Sequence, residues 1–243
     1  MLGQASYLLV LGVSIQQVVF SEPLCLPASV AIGCAGLLVP IFALRQLSES
    51  VLLCLVNTFV IVVVLVCALV SIGLSNDPTA RTHSTHLVAP GLDSIKVLGA
   101  ATNVVYAYSG QWMYFEIMDS MAEPCKFPYA LAIVGPFMIS TYLAVALLSY
   151  GLGAGDMDLV AGMPRGPALR ITAGLLALHV VVVYVLKSLV LARYLHRRWR
   201  PDDVDRRTVA SYLRHGGCGV AMLTFGYLVA NAVPFFSQLL GII

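Results

Sequence analysis

The residues best suited to chemistry lie in VVYAYSGQWMYFEIMD, residues 104–119 of the chain. Gly110 is permissive in its backbone angles, and Ser109 and Gln111 offer side chains that compete for main-chain groups, so the three together weaken a helix. Where a helix opens, freed N–H groups can take a carboxylate and freed carbonyls a cation. Glu116 follows six residues after Gly110, about 9 Å along a helix, and Asp119 comes next. A fourth reactive residue is His179, central in TAGLLALHVVVVYVLKSLVLAR. With an ordinary pKa near 6.5, a histidine there could relay a proton.

These residues are embedded in a chain that water would not keep dispersed. Of 243 residues, 59% are hydrophobic and only 11% charged, and the mean hydropathy is +0.90. An average soluble domain carries about 25% charged residues, so the solvent implied is a lipid bilayer. A formal charge of +2 gives no reason to expect nucleic acid. Six cysteines, at 25, 34, 54, 67, 125 and 218, show no CxxC and no metal-ligand spacing with histidine. Most lie in apolar runs, where a thiol behaves as a small hydrophobe. Neither a disulfide nor a metal is assigned, and no cofactor is implied.

Crossing about 30 Å of hydrocarbon takes about 20 mostly apolar residues. Seven stretches qualify: about 2–20, 29–45, 51–75, 95–118, 128–152, 168–194 and 217–243. The expectation is an all-α polytopic membrane protein of seven transmembrane helices, with a single transmembrane domain over 1–243. The first stretch lacks the basic region of a signal peptide. Both ends are apolar without flanking charge and read as cut rather than finished.

Seven of the fourteen basic residues, Arg193, Arg197, Arg198, Arg200, Arg206, Arg207 and Arg214, fall between the last two stretches. The positive-inside rule makes that connection cytoplasmic. Alternation then brings Arg45 and Lys126 inside, nine in all, and leaves Arg81, Lys96, Arg165 and Arg170 outside. The N-terminus is expected in the cytoplasm and the C-terminal end outside. Beyond orientation, such an arginine cluster can also attract anionic lipid.

Within this frame the Ser-Gly-Gln segment has two readings. Small residues can mark close helix packing with no break. Alternatively the helix is discontinuous, which lipid tolerates only beside a cavity or a water path. Tyr106, Tyr108 and Trp112 lie mid-span, away from an interfacial belt. Glu116 is protonated, paired or functional if it lies inside the boundary, or else reaches the headgroups. His179 either titrates or bonds to a neighbouring helix. Lys187 is expected to snorkel to the boundary, and Asn231 with Pro234 suggests a kink and an interhelical hydrogen bond. No nucleophile elbow, GxxxxGK[ST] or HExxH occurs, so an enzyme is not expected.

VVYAYSGQWMYFEIMDSMAEPCKFPYAL resembles the sixth helix and following loop of the amino acid/auxin permease family. GPALRITAGLLALHVVVVYVLKSLVLAR and YLVANAVPFFSQLLGII are similar to later segments of that family in the same order. The resemblance implies part of a five-plus-five inverted-repeat core, like that of the amino acid–polyamine–organocation transporters, with the seven stretches standing for helices three to nine. It implies secondary transport of an amino acid, driven by H+ or sometimes Na+, in the plasma membrane or a vacuolar or lysosomal membrane. Tyr108, Ser109, Gly110 and Gln111, with Tyr106 beside them, would line the substrate, and Glu116 and His179 would be the proton-coupling candidates. Helices one, two and ten have no counterpart, so the chain is expected to be a fragment that does not transport alone. A seven-helix receptor or another non-transporting membrane protein is the alternative. Receptors of that class place the N-terminus outside, against the charge pattern.

Overall fold

A computed structural model of the chain describes residues 2–19, 24–44, 50–74, 93–152, 159–160, 163–204, 206 and 208–232. The long helices are α1 (Leu2–Val19), α2 (Leu26–Ala43), α3 (Val51–Leu74), α6 (Phe127–Gly151), α7 (Pro167–Trp199) and α8 (Val209–Ala232). Two shorter ones, α4 (Ser94–Ala107) and α5 (Tyr114–Ser120), divide the fourth expected span between them. Among the described residues there is no strand. Proline stands in the first turn of α2, α6 and α7, where its fixed φ suits a helix and its missing N–H is not needed.

Among the described residues, four helices are long and apolar enough to cross a membrane: α2, α3, α6 with its preceding turn, and α7. Helix α3 has no charged residue in 24, and at 1.5 Å per residue it reaches about 36 Å. Helix α6 has no buried residue, and Tyr129 and Ile133 on it are each 74% exposed. Such faces are stable against acyl chains and not against water. The protein is an all-α, multi-pass integral membrane protein.

The core forms where α1 meets α2, α7 and α8. Ala5, Leu8, Leu37, Val180, Tyr184 and Leu223 are buried there. Helix α3 runs beside α7, and a second small cluster joins Ala68 and Ile72 of α3 to Met163. Lipid gives helices no hydrophobic reason to associate, so close van der Waals approach has to hold them. Small residues allow it. A Cβ on Gly33 of α2 would come within 2.8 Å of Leu11 on α1, and one on Gly219 of α8 within 2.5 Å of Ile41 on α2.

Several hydroxyl and amide side chains on the helices are satisfied within their own turns. Thr58, Thr102, Thr141, Ser149 and Thr224 each donate to the main-chain oxygen four residues earlier. Asn231 does the same, its Nδ2 donating to Tyr227 at 2.8 Å. The expected interhelical bond from Asn231 is therefore corrected to a bond within α8, which satisfies the amide without a neighbour. Pro234 and the rest of 233–243 lie outside the described residues, as do Arg45, Arg81 and Arg207.

Helix α8 begins at Val209, eight residues before the start expected at 217, and α7 runs five residues past 194 to Trp199. Several polar residues at this end are paired with one another. Arg214 donates to the Asp203 carboxylate, and the Ser211 hydroxyl donates to the Asp203 carbonyl. His196, 1% exposed, has its Nε2 3.6 Å from the same carboxylate and its ring 6.2 Å from that of His215. The Arg214 guanidinium beside Asp203 holds its carboxyl below the usual carboxylate range, with His196 adding to the effect.

The tight approach of α8 to α2 has a neighbouring control. Ile41 is buried and β-branched, so it cannot yield easily to a new methyl group. Gly219→Ala is expected to lower stability by about 1–3 kcal/mol. Gly217→Ala, whose Cβ would meet nothing within 4 Å, should leave stability unchanged or raised. Thermal unfolding of both variants in detergent checks the contrast.

Candidate functional site

Helix α4 ends at Ala107. Residues 108–110 form a turn, Gln111–Met113 a short 3-10 segment, and α5 resumes at Tyr114. The last regular bond before the interruption runs from the Tyr108 N–H to Val104, and beyond it the Met113 N–H donates to Gly110 at 3.1 Å. Among the described residues, no main-chain bond is donated by Gly110 or Gln111. Gly110 itself has φ −84° and ψ −4°, so it does not need the left-handed region. Nor is it crowded: a Cβ there would meet nothing within 4 Å. Ser109, Gly110 and Gln111 are exposed and Tyr108 is half-buried. Tyr106 belongs to α4, but its side chain lies outside the described residues.

Tyr108 packs edge-on against Tyr142 of α6, with ring centroids 5.4 Å apart and planes at 68°. Tyr114 makes a similar contact with Phe127 at 5.3 Å. The two contacts fasten both sides of the interruption to α6. The Tyr142 hydroxyl also lies within electrostatic reach of Tyr7 on α1 as well as Tyr108.

Lys187 does not snorkel. Its Nζ donates to the Tyr7 hydroxyl and sits 4.4 Å from the centre of the Tyr7 ring. The ring face and the hydroxyl together offer a buried ammonium a better setting than lipid does. The apolar turns of α7 around Lys187 leave inward bonding or a long reach outward, and Tyr7 supplies the former. Sequence reading missed Tyr7 because nothing local marks it. The signal for it is Lys187 itself, a cation in an apolar helix that requires a partner.

Glu116 is paired. Its Oε1 lies 3.3 Å from Nε of Arg193, with the two side chains 18% and 16% exposed. One turn further, Asp119 lies 3.7 Å from Arg197, and here both side chains are more than half exposed. The spacings explain the double contact: residues three apart on α5 and four apart on α7 lie on one face of each helix. Both helices run toward the arginine-rich end. Counting back eight residues from Glu116 gives Tyr108, and six from Arg193 gives Lys187. The interruption and the Lys187–Tyr7 pair thus lie at similar depth, about 9–12 Å above the ion pair.

His179 is remote from this group. It lies fourteen residues before Arg193 on α7, about 21 Å along the axis, and bonds to the main chain of Asn57 on α3. Its Nδ1 is buried with no hydrogen-bond partner among the described residues. The chain therefore gathers Tyr108, Ser109, Gly110, Gln111 and Glu116 along one element, with Tyr142, Tyr7 and Lys187 around it, and leaves His179 apart. Among the described residues no cluster of His, Cys, Asp or Glu could hold a metal, and the six cysteines are free thiols.

If the Glu116–Arg193 pair fixes α5 on α7, its two signs are exchangeable. Glu116→Arg and Arg193→Glu are each expected to lower stability by about 1–3 kcal/mol, between the values for exposed and buried pairs. The double exchange should recover most of that loss in thermal unfolding. Losses that simply add would show that the pair does not hold the helix.

A family profile described as "Transmembrane amino acid transporter protein" matches residues 3–243. The "N amino acid transport system protein" of Neurospora crassa is 30% identical over 146 residues, 59% of this chain. That match spans 31% of the length of the relative. No solved structure matches the chain.

Proposed function

The chain belongs to the family of transmembrane amino acid transporter proteins, and from that membership we propose that the whole protein carries out secondary active transport of an amino acid, using the interruption at 108–113 as part of its substrate site. The observation that carries this reading is the pair of main-chain donors at Gly110 and Gln111 that make no intrachain bond among the described residues. In hydrocarbon an orphaned N–H costs several kcal/mol. A solute carboxylate satisfies both donors and gains the positive end of the α5 segment that follows.

Ser109 and the Gln111 side chain add polar contacts at the same level, and Tyr108 forms the aromatic side of the cradle. The seven spans form helices three to nine of a five-plus-five inverted-repeat core, and the arginine-rich connection faces the cytoplasm. The relative from Neurospora, named an amino acid transport system protein, supports the substrate class. The host membrane is the plasma membrane or a vacuolar or lysosomal one.

Coupling is to H+, with Na+ as the competing ion. Of the two titratable candidates, Glu116 is held in an ion pair with Arg193. His179, half-buried with one ring nitrogen unpartnered, can gain and lose a proton without breaking an ion pair, so the proton step is assigned to it. His179→Gln should leave amino acid exchange intact while removing the stimulation of uptake by an imposed pH gradient. An imposed Na+ gradient serves as the parallel arm in proteoliposomes.

The substrate site is tested at Gly110. Gly110→Leu meets no steric obstacle in the fold but places an isobutyl group over the open donors and favours continuous helix. Uptake of labelled amino acid by the whole protein should fall at least about tenfold, the scale of one lost hydrogen bond to a charged group. Surface expression should be unchanged. Full uptake in that variant would remove the interruption from the mechanism.

A further inference from the structure

Where α7 and α8 separate at their arginine-rich ends, they leave an open groove of about 540 Å³. Its floor and walls are apolar: Leu195 on α7, and Gly217, Cys218 and Ala221 on α8. Its mouth is not. Arg198, Trp199 and Arg214 border it, and Trp199 is 83% exposed.

The order of these residues along the helices matters. Leu195 lies one turn before Trp199. Cys218 and Ala221 lie four and seven residues after Arg214, about 6 and 10 Å further from the arginines. The apolar part of the groove therefore extends toward the membrane interior, while the cations stand at its boundary. Trp199 occupies the level where an indole is favoured, between headgroup and chain.

The cationic end continues past the groove. A second cavity of about 290 Å³ shares Arg214 and is lined by Arg200, Arg206, Asp202 and Asp203. Arg214 uses one of its donors on Asp203, and a guanidinium has five. Arg198 makes no ion pair among the described residues. Apolar surface on one side of a boundary and excess guanidinium on the other is the complement of a single molecule with the same division.

We propose that the groove between α7 and α8 binds an anionic phospholipid, its phosphate held by Arg198 and Arg214 and the upper part of one acyl chain lying along Leu195, Gly217, Cys218 and Ala221. Guanidinium groups take phosphate in a forked, charge-assisted contact, and the missing side chain at Gly217 gives the acyl chain its path. This site is separate from the substrate site at 108–113. It stands or falls without it.

Gly217 allows a test that leaves every charge in place. A Cβ there meets nothing within 4 Å, so Gly217→Leu fills the groove without displacing a neighbour and removes a glycine from a helix. Arg198→Gln removes a headgroup contact without touching Asp203. The whole protein, purified in neutral detergent, is titrated with dioleoyl phosphatidylglycerol and its thermal unfolding midpoint is followed. Dioleoyl phosphatidylcholine and inorganic phosphate are run in parallel. Phosphatidylglycerol should raise the midpoint saturably while the other two do not, and each variant should need about fivefold more lipid for half the effect, the scale of one arginine at an anionic surface. Without lipid, both variants should unfold with the parent. An equal response to phosphatidylcholine, or to phosphate alone, would overturn the assignment. So would a Gly217→Leu titration matching the parent, because the attraction would then be to headgroups only. If Gly217→Leu fails to fold, a parental titration curve for Arg198→Gln refutes the site on its own.

Discussion

In hydrocarbon, a main-chain N–H or C=O without a partner costs several kcal/mol, and this chain is organised around that cost. Its long helices satisfy most internal groups by their own geometry, interrupted at Pro40 and Pro136. Several of their hydroxyl and amide side chains fold back onto carbonyls four residues earlier. Against that background the segment from Tyr108 to Met113 stands out, because it leaves the regular bonding pattern between two stretches that keep it. The aromatic contacts of Tyr108 and Tyr114 with α6 hold the interruption in shape from the side. An opening in the ladder therefore becomes a fixed feature with defined neighbours.

Charge is placed with similar economy. Cations inside the apolar layer are matched to a specific acceptor, as Lys187 is to Tyr7. At the arginine-rich end, Arg193, Arg197 and Arg214 meet three carboxylates on two elements: Glu116 and Asp119 on α5, and Asp203 in the connection after α7. Asp203 ties that connection together, since its carboxylate faces Arg214 and His196 while its carbonyl receives Ser211.

Much of the architecture was legible in the sequence, because lipid demands long apolar runs and such runs are conspicuous. The all-α class follows from that demand, whereas the interruption near Gly110 is one of two readings of Ser109, Gly110 and Gln111, beside close helix packing. Helix ends were harder. Arg214 and His215 look like loop residues until Asp203 and His196 are seen beside them, so α8 starts earlier than its hydropathy suggests. Partners distant in sequence were not legible at all. Tyr7 and Lys187 are 180 residues apart, and no local pattern joins them. The same holds for Arg193, which sequence reading counted toward orientation and which also neutralises Glu116. Nor does the sequence distinguish Gly217 from Gly219, although one borders an open groove and the other touches Ile41.

Helix α5 has seven residues, none of them buried. What fastens it to α7 is a pair of opposite charges at each of two levels, not interlocked side chains. The outer pair, Arg197 with Asp119, is 51% and 58% exposed, whereas the inner one is mostly shielded. Dissolved ions weaken the first far more than the second. The fastening would thus come undone from the outside inward and re-form in reverse, like a zip with its slider at the water's edge.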